Sequence, residues 1–322
     1  MKPPLLTVRN LTKHFEIKRG FPKSITYTVK AVEDVSFTIN EQEAFGLAGE
    51  SGCGKSTVGR CILRLVQPNS GQVFLRDTDV LDLNKHQLRS MRKKMQIIFQ
   101  DPYSSLNPRR TIGQTLEEPM AVHNLYPDRD TREVVAALLE NVGLSSNAID
   151  KYPHEFSGGQ RQRVGIARAI LFNPDLIIAD EAVSALDVSI QMQILQLLRD
   201  LKGKHNLSYL FISHDLAVVR YFCQRVAIMY LGRFVELGTV AQIFDDPLHP
   251  YTVTLRNASP IPDPAVSQPF AQLMGEVPSP ISPPRGCHFH PRCIKAMDIC
   301  RAKSPTWKDM DHGRGVSCHL FN

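Results

Sequence analysis

The sequence predicts an α/β fold on a parallel sheet, with an N-terminal β-rich layer, a helical insertion and a small Cys-rich C-terminal extension. Three observations predict it. A glycine-rich loop, Gly49-Glu50-Ser51-Gly52-Cys53-Gly54-Lys55-Ser56-Thr57, stands between a short apolar run, Ala44 to Ala48, and a helical pattern from Ser56 to Leu65. A second apolar run, Leu176 to Ala179, ends in Asp180-Glu181; such unbroken runs read as strands buried on both faces of a parallel sheet. Beyond residue 260 the composition changes to prolines and then to closely placed cysteines.

In chain order, Leu5 to Val8, Val35 to Ile39 and Gln72 to Leu75 are expected as strands of the N-terminal layer. The loop fits G-x-x-x-x-G-K-S/T in full, in the strand–loop–helix setting that motif requires. Its glycines let backbone N–H groups converge on one point, and the helix N-terminus adds partial positive charge. Lys55 is the candidate for the β- and γ-phosphates of ATP, and Ser56 for Mg²⁺. A helical insertion is expected over about 111–170, carrying Phe156-Ser157-Gly158-Gly159-Gln160 at the start of a helix that runs to Leu171. This second glycine-rich helix start also aims a hydroxyl and N–H groups at an anion. One loop already wraps one face of a triphosphate, so a second such patch meets the same γ-phosphate only from an opposing subunit.

Asp180, at the end of its strand, is the candidate Mg²⁺ ligand, and Glu181 the carboxylate that polarises the attacking water. Alone, an Asp-Glu pair reads better as a cap of the next helix; after a phosphate loop at this distance the magnesium and water site is the stronger reading. Val188 to Leu201 is an amphipathic helix with Ile190, Ile194, Leu197, Leu198 and Leu201 on its packed face. Arg225 to Leu237 reads as strand–turn–strand around Leu231-Gly232-Arg233, and a short helix follows His249-Pro250-Tyr251. Pro260, Pro262, Pro264, Pro269, Pro278, Pro280, Pro283 and Pro284 mark an extended linker. The expected domains are a nucleotide-binding cassette over 1–250, a linker over 251–285 and the Cys-rich extension over 286–322.

The net charge of +6 suits a membrane-facing surface as well as a plain solvated one, and the basic residues are scattered rather than striped, so nucleic acid is not indicated. No stretch approaches the roughly 18 to 20 apolar residues of a membrane helix, and no signal peptide opens the chain. The cytoplasm is the expected compartment, with membrane association through partners.

These motifs resemble those of the ATP-binding-cassette ATPases over nearly the whole chain. Ser157, Gly158, Gly159 and Gln160 match the family signature, with Phe156 where Leu is usual. Gln100 matches the Q-loop, Ser184-Ala185-Leu186-Asp187 the D-loop and His214 the switch histidine; Phe15 stands where the family places an aromatic ring against adenine. Ala182 replaces a usual proline, which bears little on the chemistry. The resemblance implies an ATP site of Phe15, Gly49, Ser51, Gly52, Cys53, Gly54, Lys55, Ser56, Thr57, Gln100, Asp180 and His214, with Ser56, Gln100 and Asp180 toward Mg²⁺, Glu181, His214 and Gln100 in catalysis, and Ser157 to Gln160 acting in trans with Ser184 and Asp187.

Within the family, Tyr103-Ser104-Ser105-Leu106-Asn107-Pro108-Arg109, Met229-Tyr230-Leu231-Gly232-Arg233 and His249-Pro250-Tyr251-Thr252 are similar to the ATPase subunits of bacterial dipeptide and oligopeptide importers, a group that includes nickel and glutathione importers. The segment Phe15 to Val29 is more similar to the second, F-type subunit. The resemblance implies a second, unlike cassette ATPase as partner, two membrane permease subunits, an extracytoplasmic substrate-binding protein and a place at the cytoplasmic face of the inner membrane. It also implies a docking edge for the permease over Asp101 to Arg110. A soluble cassette ATPase of DNA repair, chromosome structure or ribosomes is the other class. Long coiled coils, a second cassette or a zinc-bearing insertion inside the cassette would mark it; here the closely placed cysteines lie after the cassette, and neither coiled coil nor second cassette is expected.

Seven cysteines divide into two groups. Cys61 and Cys223 read as small buried hydrophobes. Cys53, at a helix N-terminus, reads either as a favoured thiolate or as a tolerated variable position. Cys287, Cys293, Cys300 and Cys318 crowd the extension, where a 4Fe–4S cluster, Zn²⁺ and free thiols all remain open. The spacing lacks the close Cys-x₂₋₄-Cys pairs of zinc sites, and four soft thiolates suit the cluster. His288, His290 and His319 read as surface residues or substitute ligands, and Phe289, Ile294, Ile299 and Trp307 are the expected apolar contributors to the extension's small core.

Overall fold

The structure, a computed structural model, describes residues 3–19, 25–101, 105–258 and 275–321. In chain order the elements are β1 (Leu6–Arg19), β2 (Ile25–Ile39), β3 (Ala44–Ala48), α1 (Lys55–Ile62), β4 (Ser70–Leu75), β5 (Thr78–Asp79), α2 (Lys85–Lys94), β6 (Met95–Ile98), α3 (Ile112–His123), α4 (Thr131–Asn141), α5 (Gly158–Ile170), β7 (Leu176–Asp180), α6 (Val188–His205), β8 (Ser208–Ser213), α7 (Leu216–Phe222), β9 (Arg225–Tyr230), β10 (Arg233–Thr239), α8 (Val240–Asp245), α9 (Pro250–Ala258), α10 (Asp298–Ala302), β11 (Lys308–Met310) and β12 (Arg314–Val316). They divide into two compact units, residues 1–84 with 210–322, and residues 85–209.

In the first unit, β2-β1-β4-β5 form an antiparallel sheet. Its two long strands pair from Leu6 opposite Ile39 to Arg19 opposite Ile25, with register shifts between Val8 and His14. Leu6, Val8, Leu11, Val32, Val35 and Ile39 are all but fully buried. Beyond Leu11 the strands leave the core and continue as a paired ribbon of polar and half-exposed side chains, which is why the expected strands are shorter than those observed. Gly71, at φ +105°, lets β4 approach β1 so closely that a Cβ there would stand 2.7 Å from the Asn10 carbonyl oxygen.

The second sheet of this unit runs β11-β12-β10-β9-β3-β8. β3 lies parallel to β9, Phe45 opposite Arg225 through Ala48 opposite Ile228, and every β3 residue is buried. β9 and β10 join through Leu231 at φ +41° and Gly232 at φ +83°. Two consecutive residues at positive φ are what a two-residue hairpin demands. β12 then adds antiparallel to β10, Glu236 opposite Val316 and Leu237 opposite Gly315. The C-terminal extension is thus continuous with this sheet.

In the second unit, β6 and β7 pair in parallel from Met95 opposite Leu176 to Ile98 opposite Ala179, and β7 is buried throughout. Helices α3 and α5 open with reciprocal capping boxes, Thr111 with Gln114 and Ser157 with Gln160. Asp130 caps α4. On α6 the buried residues are Ile194, Leu195, Leu198 and Leu201. Ile190 and Leu197 are only half-buried and Leu195 joins the packed face, a small rotation from the expected stripe.

Candidate functional site

The phosphate loop is held open by carbonyls that tolerate only glycine. Gly49 has φ +151° and a Cβ there would stand 2.2 Å from the Met229 carbonyl oxygen; Gly54 has φ +112° and its Cβ would stand 2.0 Å from that of Ala31. Gly52, at φ +79°, faces open space. The Gly232 N–H donates to the Cys53 carbonyl at 2.9 Å, tying the loop to the β9–β10 turn. Lys55 is 4 % exposed, and its Nζ donates to the Gly49 and Glu50 carbonyls at 2.8 and 2.9 Å. An ammonium group carries three protons for strong acceptors. Ser51 is exposed, and Ser56 and Thr57 are half-buried at the start of α1. Cys53 is buried, and desolvation raises its thiol above the ordinary range despite Lys55 alongside. This weighs against a favoured thiolate at Cys53. Cys61 and Cys223 are buried too, with burial pushing the Cys61 thiol up to about 11.

In the same unit, Phe15 is partly exposed on β1 with the Lys13 ammonium 4.9 Å above its ring. His214 is exposed at the end of β8. The cap of α7 is Asp215, whose Oδ1 accepts from Ala217 N at 2.8 Å.

In the second unit, Asp180 and Glu181 are 3 and 8 % exposed at the end of β7. Glu181 sits at φ +49°, a region costly for a residue with a Cβ, and such outliers cluster at functional sites. Its carboxylate accepts a hydrogen bond from Gln100 Nε2 at 2.9 Å, so the structure brings the Q-loop residue to the candidate base. The Ser184 hydroxyl donates back to the Glu181 carbonyl at 3.0 Å. Asp187 is exposed at the start of α6. In the signature, Ser157 Oγ accepts from Gln160 N at 3.3 Å while Gln160 Oε1 accepts from Ser157 N at 3.0 Å. Gly159 packs so closely that a Cβ there would stand 2.5 Å from Ile190 Cγ2. Pro102, Tyr103 and Ser104 of the expected docking edge lie outside the described residues, as do Pro260, Pro262, Pro264 and Pro269 of the linker; Arg109 is exposed.

The extension departs from expectation. Of the four apolar residues expected to form its core, Phe289 alone is buried, at 2 % exposure; Ile294, Ile299 and Trp307 are 82, 46 and 40 % exposed. Phe289 packs on Tyr230 and Tyr251, each 5.3 Å away between ring centroids, and near His249. The extension therefore borrows the cassette's core, because so short a segment has too little apolar surface for its own. Cys287 N donates to the Cys300 carbonyl at 2.8 Å. Burial pushes the Cys287 thiol up to about 11, with Cys300, Cys318 and Cys293 adding to the rise; Cys293 and Cys318 are raised the same way. The four thiols thus lie within electrostatic reach of one another. Among the described residues, however, no three His, Cys, Asp or Glu side chains are grouped to hold a metal ion. His290 Nδ1 contacts the Cys287 carbonyl at 2.8 Å and His319 Nε2 that of Lys303 at 2.9 Å.

Sequence reasoning missed three residues. Glu50 N–H donates to the Tyr251 hydroxyl at 2.9 Å, and the Glu50 carboxylate is gripped at both oxygens by Arg292, at 2.8 and 2.9 Å. His249-Pro250-Tyr251 was visible only as a family marker, and nothing local to Arg292 signals a partner 242 residues away.

A family profile described as ABC transporter matches residues 32–184, and one described as Oligopeptide/dipeptide transporter, C-terminal region, matches residues 235–300. A probable peptide ABC transporter ATP-binding protein of Sinorhizobium fredii is 52 % identical, covering 99 % of this chain and 91 % of that one. The oligopeptide transport ATP-binding protein AppF of Bacillus subtilis is 48 % identical, over 99 and 98 % of the two chains. The dipeptide transport ATP-binding protein DppF of Haemophilus influenzae is 45 % identical, over 98 and 96 %. Among solved structures, the dimeric post-hydrolysis state of the cassette MJ0796 bound to ADP and Pi superposes with a TM-score of 0.62 at 29 % identity, covering 73 % of this chain and 98 % of that one. The chain belongs to the ABC transporter ATPases that carry the oligopeptide/dipeptide transporter C-terminal region.

Proposed function

We propose that this chain is the ATP-hydrolysing, energy-coupling subunit of a membrane importer for di- or oligopeptides. The observation that carries the reading is chain-long similarity to ATP-binding proteins named for peptide, oligopeptide and dipeptide transport, extending through the C-terminal region. In this reading Lys55 turns its Nζ from the loop carbonyls to the phosphates. Ser56, Gln100 and Asp180 offer the hard oxygen donors that Mg²⁺ prefers. Glu181 takes the proton of the attacking water, and Gln100, already donating to it at 2.9 Å, keeps the carboxylate oriented. His214 hydrogen-bonds the γ-phosphate and Phe15 lies against adenine. Ser157 to Gln160, with Ser184 and Asp187, face the nucleotide of a second, unlike cassette ATPase, so ATP joins the pair and hydrolysis releases it.

Two permease subunits and an extracytoplasmic substrate-binding protein complete the importer, and the subunit sits at the cytoplasmic face of the inner membrane. Among the described residues no helix is long and apolar enough to cross a membrane, so attachment would come through the permeases. The domains are 1–250, 251–285 and 286–322. Cys287, Cys293, Cys300 and Cys318 are proposed to hold a 4Fe–4S cluster. The gathering of four thiols supports this, and bound metal would supply stability that the extension lacks. The test is co-purification from membranes with uptake of labelled di- and tripeptides. Permeases and peptide uptake that depend on this chain support the reading, whereas a soluble chain with unaltered uptake on its deletion overturns it. Iron and zinc are measured in the same anaerobic preparation, and zinc without iron would replace the cluster.

A further inference from the structure

The phosphate loop carries a carboxylate that its chemistry does not want. Glu50 is the second residue of the loop, and its carbonyl is one of the two that hold the Lys55 ammonium. Its negative charge therefore stands beside the place where the triphosphate, itself strongly anionic, is read to bind. The structure answers that charge from the far end of the chain. Arg292 Nη1 and Nη2 donate to Glu50 Oε2 and Oε1 at 2.8 and 2.9 Å, the fork geometry that makes arginine–carboxylate pairs strong. The Arg292 side chain is only 4 % exposed and that of Glu50 19 %. The guanidinium lies 5.9 Å from the Tyr230 ring centroid.

Its position is fixed on both sides. Arg292 closes a single helical turn, His290–Arg292, with its N–H on the Phe289 carbonyl at 3.0 Å. Phe289 is wedged against Tyr230 and Tyr251. Tyr251, fully buried, presents its hydroxyl to the Glu50 N–H at 2.9 Å. Glu50 is thus held at its N–H by Tyr251 and at its carboxylate by Arg292, while its carbonyl receives Lys55.

We propose that Arg292, carried by the C-terminal extension, is a positioning residue for ATP binding: it neutralises Glu50 and holds the phosphate loop in its receptive shape. The inference rests on the reading of Lys55 and its loop as the triphosphate site. It assigns the extension a part in ATP binding that does not depend on whether its cysteines hold a metal.

The experiment is equilibrium binding of a fluorescent ATP analogue to the full chain, with Lys55→Ala as the control for the site itself. Arg292→Gln exposes the Glu50 charge and should weaken binding roughly tenfold, the order expected when one charge near a bound anion loses its neutralising partner at a protein surface. The loss should shrink as salt screens the repulsion. Removing both charges in the Glu50→Gln/Arg292→Gln double variant should restore affinity to within about threefold of the unmodified chain, since the repulsion goes with the carboxylate. A purely structural clamp would not be rescued this way, so failure of the double variant to recover overturns the proposal, as does Arg292→Gln binding within twofold of the unmodified chain. Should Arg292→Gln not fold, Glu50→Asp carries the test: it keeps the charge but withdraws it from the fork, and affinity should fall severalfold. Unchanged affinity in that variant overturns the proposal. If Lys55→Ala binds nucleotide normally, the failure is that of the site reading and not of Arg292 alone.

Discussion

Replacing Glu181 by Gln tests the chemistry at its centre. Glu181 is 8 % exposed, and its carboxylate accepts a hydrogen bond from Gln100 Nε2 at 2.9 Å. A glutamine oxygen can take the same bond, so the contact survives as a neutral pair. Hydrogen bonds to charged groups contribute about 1.5–3 kcal/mol and neutral ones about 0.5–1.5, so the exchange costs about 1 kcal/mol of stability. For a chain of this size that is a fall in Tm of no more than about 4 °C. Glu and Gln carry the φ of +49° equally, so no new backbone strain is added. What is lost is the base. A positioned general base contributes about 10²–10⁴ in rate, or about 3–5 kcal/mol of barrier. The assay is phosphate release by the assembled transporter, with the partner ATPase's own site disabled so that it cannot mask the effect, alongside equilibrium ATP binding. The expected result is turnover down by at least a hundredfold with affinity unchanged. Turnover at the unmodified rate would remove Glu181 from the role, and loss of ATP binding would place it in the phosphate site instead.

Gly159→Ala places a methyl 2.5 Å from Ile190 Cγ2 and should cost about 1–3 kcal/mol; a thermal melt reads the loss, and adding Ile190→Ala should recover part of it. Phe289→Ala empties the wedge between Tyr230 and Tyr251, about 3–5 kcal/mol of packing, and should expose the extension to limited proteolysis; an unchanged digestion pattern would mean that the extension is anchored elsewhere. His249 is fully buried, which depresses its imidazole to about 3, while Nδ1 accepts the Tyr251 N–H at 3.0 Å. The unfolded chain takes up that proton as pH falls through about 6.5 and the folded chain only near 3, so the stability is fully present above 6.5 and lost on acidification. About 2 kcal/mol should go between pH 7 and pH 5, and His249→Gln should lack this part of the slope in urea unfolding; identical slopes would refute the assignment.

Much of the site was legible because its signals are local. The phosphate loop, the Ser157–Gln160 capping box and the apolar strand before Asp180 each depend on residues within a few positions of one another. Sequence also pointed to the carboxylate and glutamine that meet at 2.9 Å, though only a structure puts Gln100 on Glu181 across 81 residues. The extension was misread for a physical reason. Apolarity states that Ile294, Ile299 and Trp307 could be buried, not that a surface exists to bury them, and the extension offers none. Phe289 found one in Tyr230 and Tyr251, whose own readings were a hairpin neighbour and a family marker. At Cys53 the two open readings differ physically: a helix N-terminus favours a thiolate, whereas burial raises the thiol.

The way the extension is fastened bears on what it can do. Arg314 of β12 donates to Glu236 of β10 at 2.9 Å, and Glu236, with no exposure at all, also accepts the N–H groups of Leu248 and His249 at 2.9 Å each. Arg292 grips Glu50 at a second point. Buried ion pairs of this kind add little net stability over apolar packing, but breaking one leaves a charge stranded, at about 3–5 kcal/mol. They act as register pins. A few hydrophobic contacts could hold the extension in several arrangements. Two arginines, Arg292 forked on Glu50 and Arg314 bridging Glu236 and Asp246, select a single arrangement, with β12 on β10 and the Cys287–Cys293 turn against the phosphate loop. A segment kept only to cover apolar surface would not need that selection. One whose Arg292 must meet a carboxylate beside the nucleotide does.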